Sequence, residues 1–277
     1  MTVHSVAAGD IELQYEFEDF TPPWSKQQAG TILFHHGYAR NMLFWQPLIP
    51  FLCGDYRILR FNARGSTETT TSPPASGYAI EQFADDAIRL LDALGIERAH
   101  WVGESSGGIV GLCAALKHPT RLQTLVLCDT PFKRPDSMVA VYSSGEKDRA
   151  AAFEKYGVAE WCRRTLSYRL DTSVASPELC EWYVTQMGRT PIPVAIALER
   201  MIGAGNLWPS LRDITTPTLI LAGEKSPIAD EAMTRTMREQ MPRAKLVRLK
   251  GYAHGVNLVA PAECAREIST FLGAHEQ

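Results

Sequence analysis

Short blocks of consecutive apolar residues recur along the chain, each bounded by glycine, proline or polar clusters. They are TILFHH (31–36), YRILRF (56–61), AHWVG (99–103), LQTLVLCD (122–129), PTLILAG (217–223) and AKLVRLK (244–250). Blocks that are apolar on both faces predict strands buried inside a parallel sheet that helices cover on each side. Between them the period lengthens to that of a helix. In AIEQFADDAIRLLDALG (79–95), Ile80, Phe83, Ile88, Leu91 and Leu94 fall on one stripe, and Gly95 suits a C-cap. GGIVGLCAALKHP (107–119) runs up to Pro119, and PAECAREISTFLGA (261–274) closes the sequence as an amphipathic helix. Such alternation predicts an α/β fold built on a doubly wound, mostly parallel sheet.

The rhythm breaks between 131 and 210. No strand block occurs there, and helical stretches follow one another: KDRAAAFEKYG, VAEWCRRTLSYRL, PELCEWYVTQMGRT and VAIALERMIGAG. A stretch of helix this long between two strands of one sheet predicts an inserted helical cap over one edge. The expected organisation is a core from 1–130 and 211–277, with the cap at 131–210.

Composition narrows the function classes. The 277 residues are 45% apolar and 21% charged, with a formal net charge of −3. That balance is ordinary for a soluble domain and offers no electrostatic footprint for nucleic acid or an anionic membrane. No apolar run approaches the ~20 residues of a membrane span. The first twenty residues, MTVHSVAAGDIELQYEFEDF, alternate and carry acids where a signal peptide has a basic start and an apolar block. Six cysteines without a C-x-x-C pair are expected to be reduced thiols, and the compartment is expected to be cytoplasmic. His35 and His36 are adjacent and so point to opposite faces of a strand, and no acidic cluster accompanies them. No metal and no cofactor are expected. The expected partner is a small-molecule substrate, and the composition is compatible with a homo-oligomer.

Chemistry concentrates in three places. WVGESSGGIVG holds G-x-S-x-G at Gly103, Ser105 and Gly107, after a strand block and at the start of a helix, which predicts a nucleophile elbow. A helix N-terminus there offers N–H groups to a developing oxyanion. LFHHGYARNMLFW (33–45) ends a strand in His-His-Gly and brings the backbone N–H of Tyr38 toward the elbow. With the N–H of Ser106 it makes two oxyanion donors. In KGYAHGVNLVAP (250–261), His254 follows the last strand with glycines on both sides and is the expected base for Ser105.

HHGYARNMLFW, YRILRFNARGSTET, YAIEQFADDAIRLLDALGIERAHWVGESSGG, LVLCDTPF and GYAHGVNLVAP together resemble the α/β-hydrolase superfamily. Within it the chain is most similar to the capped hydrolases around 3-oxoadipate enol-lactonase. The resemblance implies a triad acid after the strand LILAG, in a G-x-x-D pattern. Here that slot reads Gly223-Glu224-Lys225-Ser226. Some relatives, among them certain haloalkane dehalogenases and zearalenone-type lactonases, look as though they carry the acid one strand earlier. In this sequence that strand end is Asp129, one helix and one strand beyond Ser105. The expected triad is Ser105, His254 and Asp129. The alternative is that Asp129 caps the first turn of the cap and Ser226 stands in a weakened dyad.

The expected activity is cofactor-independent hydrolysis of an ester or lactone of a small to medium, cyclic or aromatic molecule through an acyl-enzyme. His36, Trp161, Trp182, Tyr183 and Met187 are the expected substrate contacts. Arg40, Arg163, Arg164 and Arg189 are candidates for pairing a substrate carboxylate. Three other readings stay open: carbon–carbon bond hydrolysis, for which relatives often carry Asn where Glu104 stands; a cofactor-free oxygenase; and a small-molecule receptor without turnover.

Overall fold

The computed structural model describes residues 2–24, 29–66, 74, 77–204 and 208–275, with the side chains of 208 and 209 outside that set. Its strands are β1 (His4–Ala8), β2 (Ile11–Glu18), β3 (Thr31–His35), β4 (Arg57–Phe61), β5 (Ala99–Glu104), β6 (Leu122–Cys128), β7 (Thr218–Gly223) and β8 (Ala244–Leu249). They form one sheet in the order β1-β2-β4-β3-β5-β6-β7-β8. From β4 to β8 neighbouring strands are parallel, while β2 pairs antiparallel with both β1 and β4. Every apolar block of the sequence lies in a strand. The β1–β2 hairpin has no such block, because an edge hairpin with one wet face alternates instead of running apolar. IELQYEFE is of that kind, and its buried Glu16 is ion-paired with the buried Arg60 of β4.

Alternation along each central strand builds two cores. Leu33, Leu59, Trp101, Leu125 and Leu127 face one side and pack with Phe83, Ala87 and Leu91 of α1 (Ile80–Ala93) and Leu112 of α2 (Ser106–Lys117). Ile32, Phe34, Ile58, Val102, Val126, Leu219 and Leu221 face the other. There they meet Cys264, Ile268 and Phe271, the buried stripe of the C-terminal helix 261–273. Successive strand side chains point to opposite faces, so an apolar run serves both cores at once.

Between β6 and β7 the described residues form α3 (Asp136–Ser143), α4 (Arg149–Arg164), α5 (Pro177–Gly188) and α6 (Ile192–Ala204), with 3₁₀ turns. Local chemistry sets their ends. Asp148 caps α4 by accepting from Ala151 N (2.8 Å). Ser176 caps α5 by accepting from Leu179 N (3.2 Å), with Pro177 in the first turn. Gly157, at φ 74°, bends α4 at a backbone conformation that favours glycine. These helices cover the loop after β3: Tyr38 Oη donates to Ala195 O (2.7 Å), and Asn41 Nδ2 to Gln186 Oε1 (2.9 Å). Asp171 ties the same segment to the loop after β8, accepting from Ala253 N (2.7 Å) while its own N–H donates to His254 O (2.9 Å). After β7 comes α7 (Glu231–Gln240), and α8 (Pro261–Gly273) is the C-terminal helix.

Candidate active site

Ser105 sits between β5 and α2 at φ 52° and ψ −118°, a backbone region that L-residues avoid. Holding a non-glycine residue there costs about 1–3 kcal/mol and has to be enforced by its surroundings. The glycines on either side allow the enforcement. A Cβ at Gly103 would run into Gly107 O, and one at Gly107 into His35 O, so β5, α2 and the end of β3 close up only without side chains. Ser105 N donates to Cys128 O (2.9 Å), tying the turn to the end of β6. The Ser105 side chain is left half-buried at the cavity wall. Among the described residues neither Tyr38 N–H nor Ser106 N–H donates to a protein acceptor. Both residues line the cavity with Ser105.

His254 lies in the same cavity, 1% exposed. Its Nδ1 is 3.2 Å from Ser226 Oγ and 3.9 Å from Asp129 Oδ2. Both strand-end loops weighed in the sequence therefore reach this nitrogen. Asp129 is fully buried at φ 46°. Its Oδ1 accepts from Gly223 N (3.0 Å), and its Oδ2 from Gly255 N (2.8 Å) and Val256 N (3.1 Å). Ser226 Oγ also accepts from Ala229 N (3.2 Å). The other acids near that loop turn away. Asp230 caps α7 through Met233 N (2.7 Å), and Glu224 accepts from Gly251 N (3.0 Å).

The opposite ring nitrogen has a neighbour that the sequence did not bring forward. His254 Nε2 is 3.4 Å from Glu104 Oε1, outside hydrogen-bond geometry, and Ser105 Oγ makes no hydrogen bond among the described residues. Catalytic hydrogen bonds are often loose without substrate and tighten in the complex. Glu104 Oε2 accepts from Arg40 Nη1, and Arg40 Nη2 donates to Tyr183 Oη. Burial works against the Glu104 charge, but the Arg40 guanidinium and then His254 outweigh it and hold the carboxyl below its ordinary range. Gly37 makes room for the pair, since a Cβ there would strike Glu104 Oε2.

The expected substrate contacts lie elsewhere. His36 spends both ring nitrogens on backbone: Nδ1 donates to Gly37 O (2.9 Å) and Nε2 accepts from Ala63 N (2.9 Å). Burial pushes it down to about 4, so the ring is neutral and shapes the loop after β3. Trp161, Tyr183 and Met187 are fully buried, and Trp182 packs on Phe44 with centroids 4.8 Å apart. None of these four lines the cavity beside Ser105. That wall is made by Met138, Tyr142, Ile109, Ile202 and Ile228 with the guanidinium-bearing Arg40, Arg134, Arg149 and Arg169. The large aromatics bury their faces beneath the helices between β6 and β7, whereas arginine stems are long enough to reach the cavity. Of the arginines considered for a carboxylate, Arg40 is held by Glu104, and Arg163, Arg164 and Arg189 are exposed. Arg149 and Arg169 stood out by no local signal, since helical sequence does not reveal which residues overhang a pocket.

Among the described residues no group of three or more His, Cys, Asp and Glu side chains could hold a metal ion, and no helix is long and apolar enough to cross a membrane. Residues 30–261 match the family model described as the alpha/beta hydrolase fold. A protein of Stutzerimonas stutzeri named as a carbamate hydrolase, RutD, is 30% identical over 239 residues, covering 83% of this chain and 87% of its own. A 3-hydroxybutyrate-oligomer hydrolase of Cupriavidus necator is 25% identical over 260 residues, covering 86% and 87%. The crystal structure of the enol-lactonase from Burkholderia xenovorans LB400 superposes with a TM-score of 0.86 at 23% identity, covering 98% of this chain and 100% of that one.

Proposed function

The chain belongs to the α/β-hydrolase fold family, and from that premise we propose that it is a serine hydrolase acting on an ester or lactone of a small to medium organic acid. The observation that carries this reading is the strained Ser105 at the head of α2, in one cavity with His254, Tyr38 and Ser106, the last two with backbone N–H groups that have no protein acceptor among the described residues. In the first half-reaction Ser105 Oγ attacks the carbonyl carbon while its proton passes to His254 Nε2. The carbonyl oxygen becomes an oxyanion held by the N–H groups of Tyr38 and Ser106. Collapse expels the alcohol, or opens the lactone, with the proton returned from His254, and water then releases the acyl group by the same path.

Asp129 supplies the negative charge for the imidazolium, and Ser226 aligns the ring from the neighbouring loop. With the ring proton on Nδ1, Ser226 Oγ accepts it and leaves Nε2 free to act as base. The helices 131–210 act as the cap that limits substrate size. The names of the relatives, covering a carbamate, a hydroxybutyrate oligomer and an enol-lactone, favour acyl-group hydrolysis without choosing the acyl group.

Labelling with a fluorophosphonate followed by intact mass tests the reading. Wild type is expected to gain one adduct and Ser105→Ala none. A wild type that stays unlabelled while ligands still bind removes the hydrolase reading in favour of a receptor or a cofactor-free oxygenase.

A further inference from the structure

Five arginines are buried among the described residues: Arg40, Arg60, Arg64, Arg149 and Arg169. Four of them have a carboxylate. Arg40 is paired with Glu104, Arg60 with Glu16, Arg64 with Asp86 and Asp10, and Arg149 with Glu199. Arg169 has none. It is 4% exposed, its Nε has no hydrogen-bond partner, and its side-chain partners are sulfur atoms: Nη2 donates to Met187 Sδ at 3.7 Å, and the Cys162 thiol is a second neighbour. Its guanidinium carbon lies 4.8 Å from the ring centroid of Trp161, 5.2 Å from Tyr142 and 5.9 Å from Tyr38. Aromatic faces attract a cation but accept none of its N–H donors in the way an anion does. A guanidinium taken out of water without an anion is expensive, and such charges are ordinarily paired.

The location gives the unpaired charge a use. Arg169 lines the cavity that holds Ser105 and His254. The remaining charges there do not neutralise it, because Arg134 and Arg149 already share Glu199. We propose that Arg169 binds a free carboxylate on the substrate, so that the enzyme selects esters or lactones that also carry an acid group. The Arg169 fork presents planar donors to a planar anion, and Trp161, Tyr142 and Tyr38 fix its orientation. This proposal rests on the Ser105 reading for the reacting carbonyl, but the anion site itself does not depend on turnover.

The test uses the full-length protein as wild type, Arg169→Met and, as an exposed control, Arg163→Met. Turnover is compared for mono-(4-nitrophenyl) esters of succinate, glutarate and adipate against neutral 4-nitrophenyl butyrate, valerate and hexanoate. Binding is followed separately as the thermal shift given by free glutarate and adipate. Wild type is expected to favour at least one acid ester over its neutral counterpart by tenfold or more in kcat/KM, and to be protected by a dicarboxylate. Arg169→Met is expected to lose both the preference and the protection while melting no lower than wild type without ligand, since it sheds an unpaired buried charge. Arg163→Met is expected to keep both. Equal use of acid and neutral esters by wild type, with no dicarboxylate protection, overturns the proposal and leaves the hydrolase reading standing. An Arg169→Met protein that melts lower and keeps the preference also overturns it, by making the guanidinium a packing element. Protection of wild type but not Arg169→Met, with no ester cleaved, sustains the anion site and removes the hydrolase reading instead.

Discussion

The loops after β6 and β7 approach the same imidazole nitrogen with opposite chemistry. Asp129 brings a charge, but from 3.9 Å and with three backbone N–H groups already on its oxygens. Ser226 brings no charge, yet it is closer, at 3.2 Å from His254 Nδ1. A single carboxylate in such a position both orients the ring and compensates the imidazolium. On the reading proposed above, the two tasks fall to different loops. At an effective dielectric of ~20, a charge about 4 Å away is still worth about 4 kcal/mol to an imidazolium. Distance alone therefore does not remove Asp129 from the chemistry. Three N–H donors hold its carboxyl group in place, and the hydroxyl beside the ring adds no charge of its own.

Breaking the charged half of this arrangement should have the largest effect. Asp129→Asn is expected to lower kcat by about 10³- to 10⁴-fold. It should also lower the melting temperature, because an amide NH₂ must confront at least one of the three N–H donors at a cost of about 1–3 kcal/mol. Steady-state kinetics and thermal melts on the same preparation check both. Next in size is a transfer of the charge. Adding Ser226→Asp to Asp129→Asn is expected to recover at least tenfold of the lost rate while leaving the melting temperature low. Recovery of neither would make Asp129 a loop clasp without a role in the reaction.

The uncharged half should matter less. Ser226→Ala removes two hydrogen bonds, to His254 Nδ1 and from Ala229 N; only the first touches the ring and is worth about 0.5–1.5 kcal/mol, so a fall in kcat of about tenfold or less is expected. His35, His36 and His100, three buried histidines outside the cavity beside Ser105, should appear in stability instead of in turnover at neutral pH. His35 is pushed down to about 3 and His36 and His100 to about 4, in each case chiefly by burial. Unfolded histidine titrates near 6.5, so above that pH both states are neutral and the full stability is present. As pH falls from about 6.5 toward 4, the unfolded chain takes up protons that the folded chain refuses. Each of these histidines then costs about 1.4 kcal/mol per pH unit. Urea midpoints measured from pH 7.5 to 4.5 should be flat above 7 and fall steeply below 6.5. A flat profile throughout would mean that these rings are not held neutral.

The sequence was legible where the physics is local. Apolar blocks gave strands, the glycine-flanked serine gave a turn that only small neighbours permit, and the order of Ser105, Asp129 and His254 brought all three to one end of the sheet. It was less legible where an outcome depends on which way a helix faces. Trp161, Tyr183 and Met187 read as pocket residues from their size, but size draws them under the helices between β6 and β7, and arginines line the cavity in their place. The β1–β2 hairpin was hidden because a half-wet edge lacks an apolar run. Ser226 was read as a gap left by a missing acid, although a hydroxyl at 3.2 Å is itself a partner for the ring. The contact of Glu104 with His254 depends on a side-chain direction that sequence spacing does not encode.

The three hydrogen bonds to Asp129 also have a meaning in time. They join the end of β6 to Gly223, 94 residues later, and to Gly255 and Val256, 126 and 127 residues later. Closures of that span are among the slow steps by which a chain acquires its topology. During synthesis Ser105 is made well before the segment that seats Asp129 and carries His254. The chain must therefore run about 150 residues beyond Ser105 before Val256 can take hold of Asp129, so this end of the sheet is completed long after its first strands have been made.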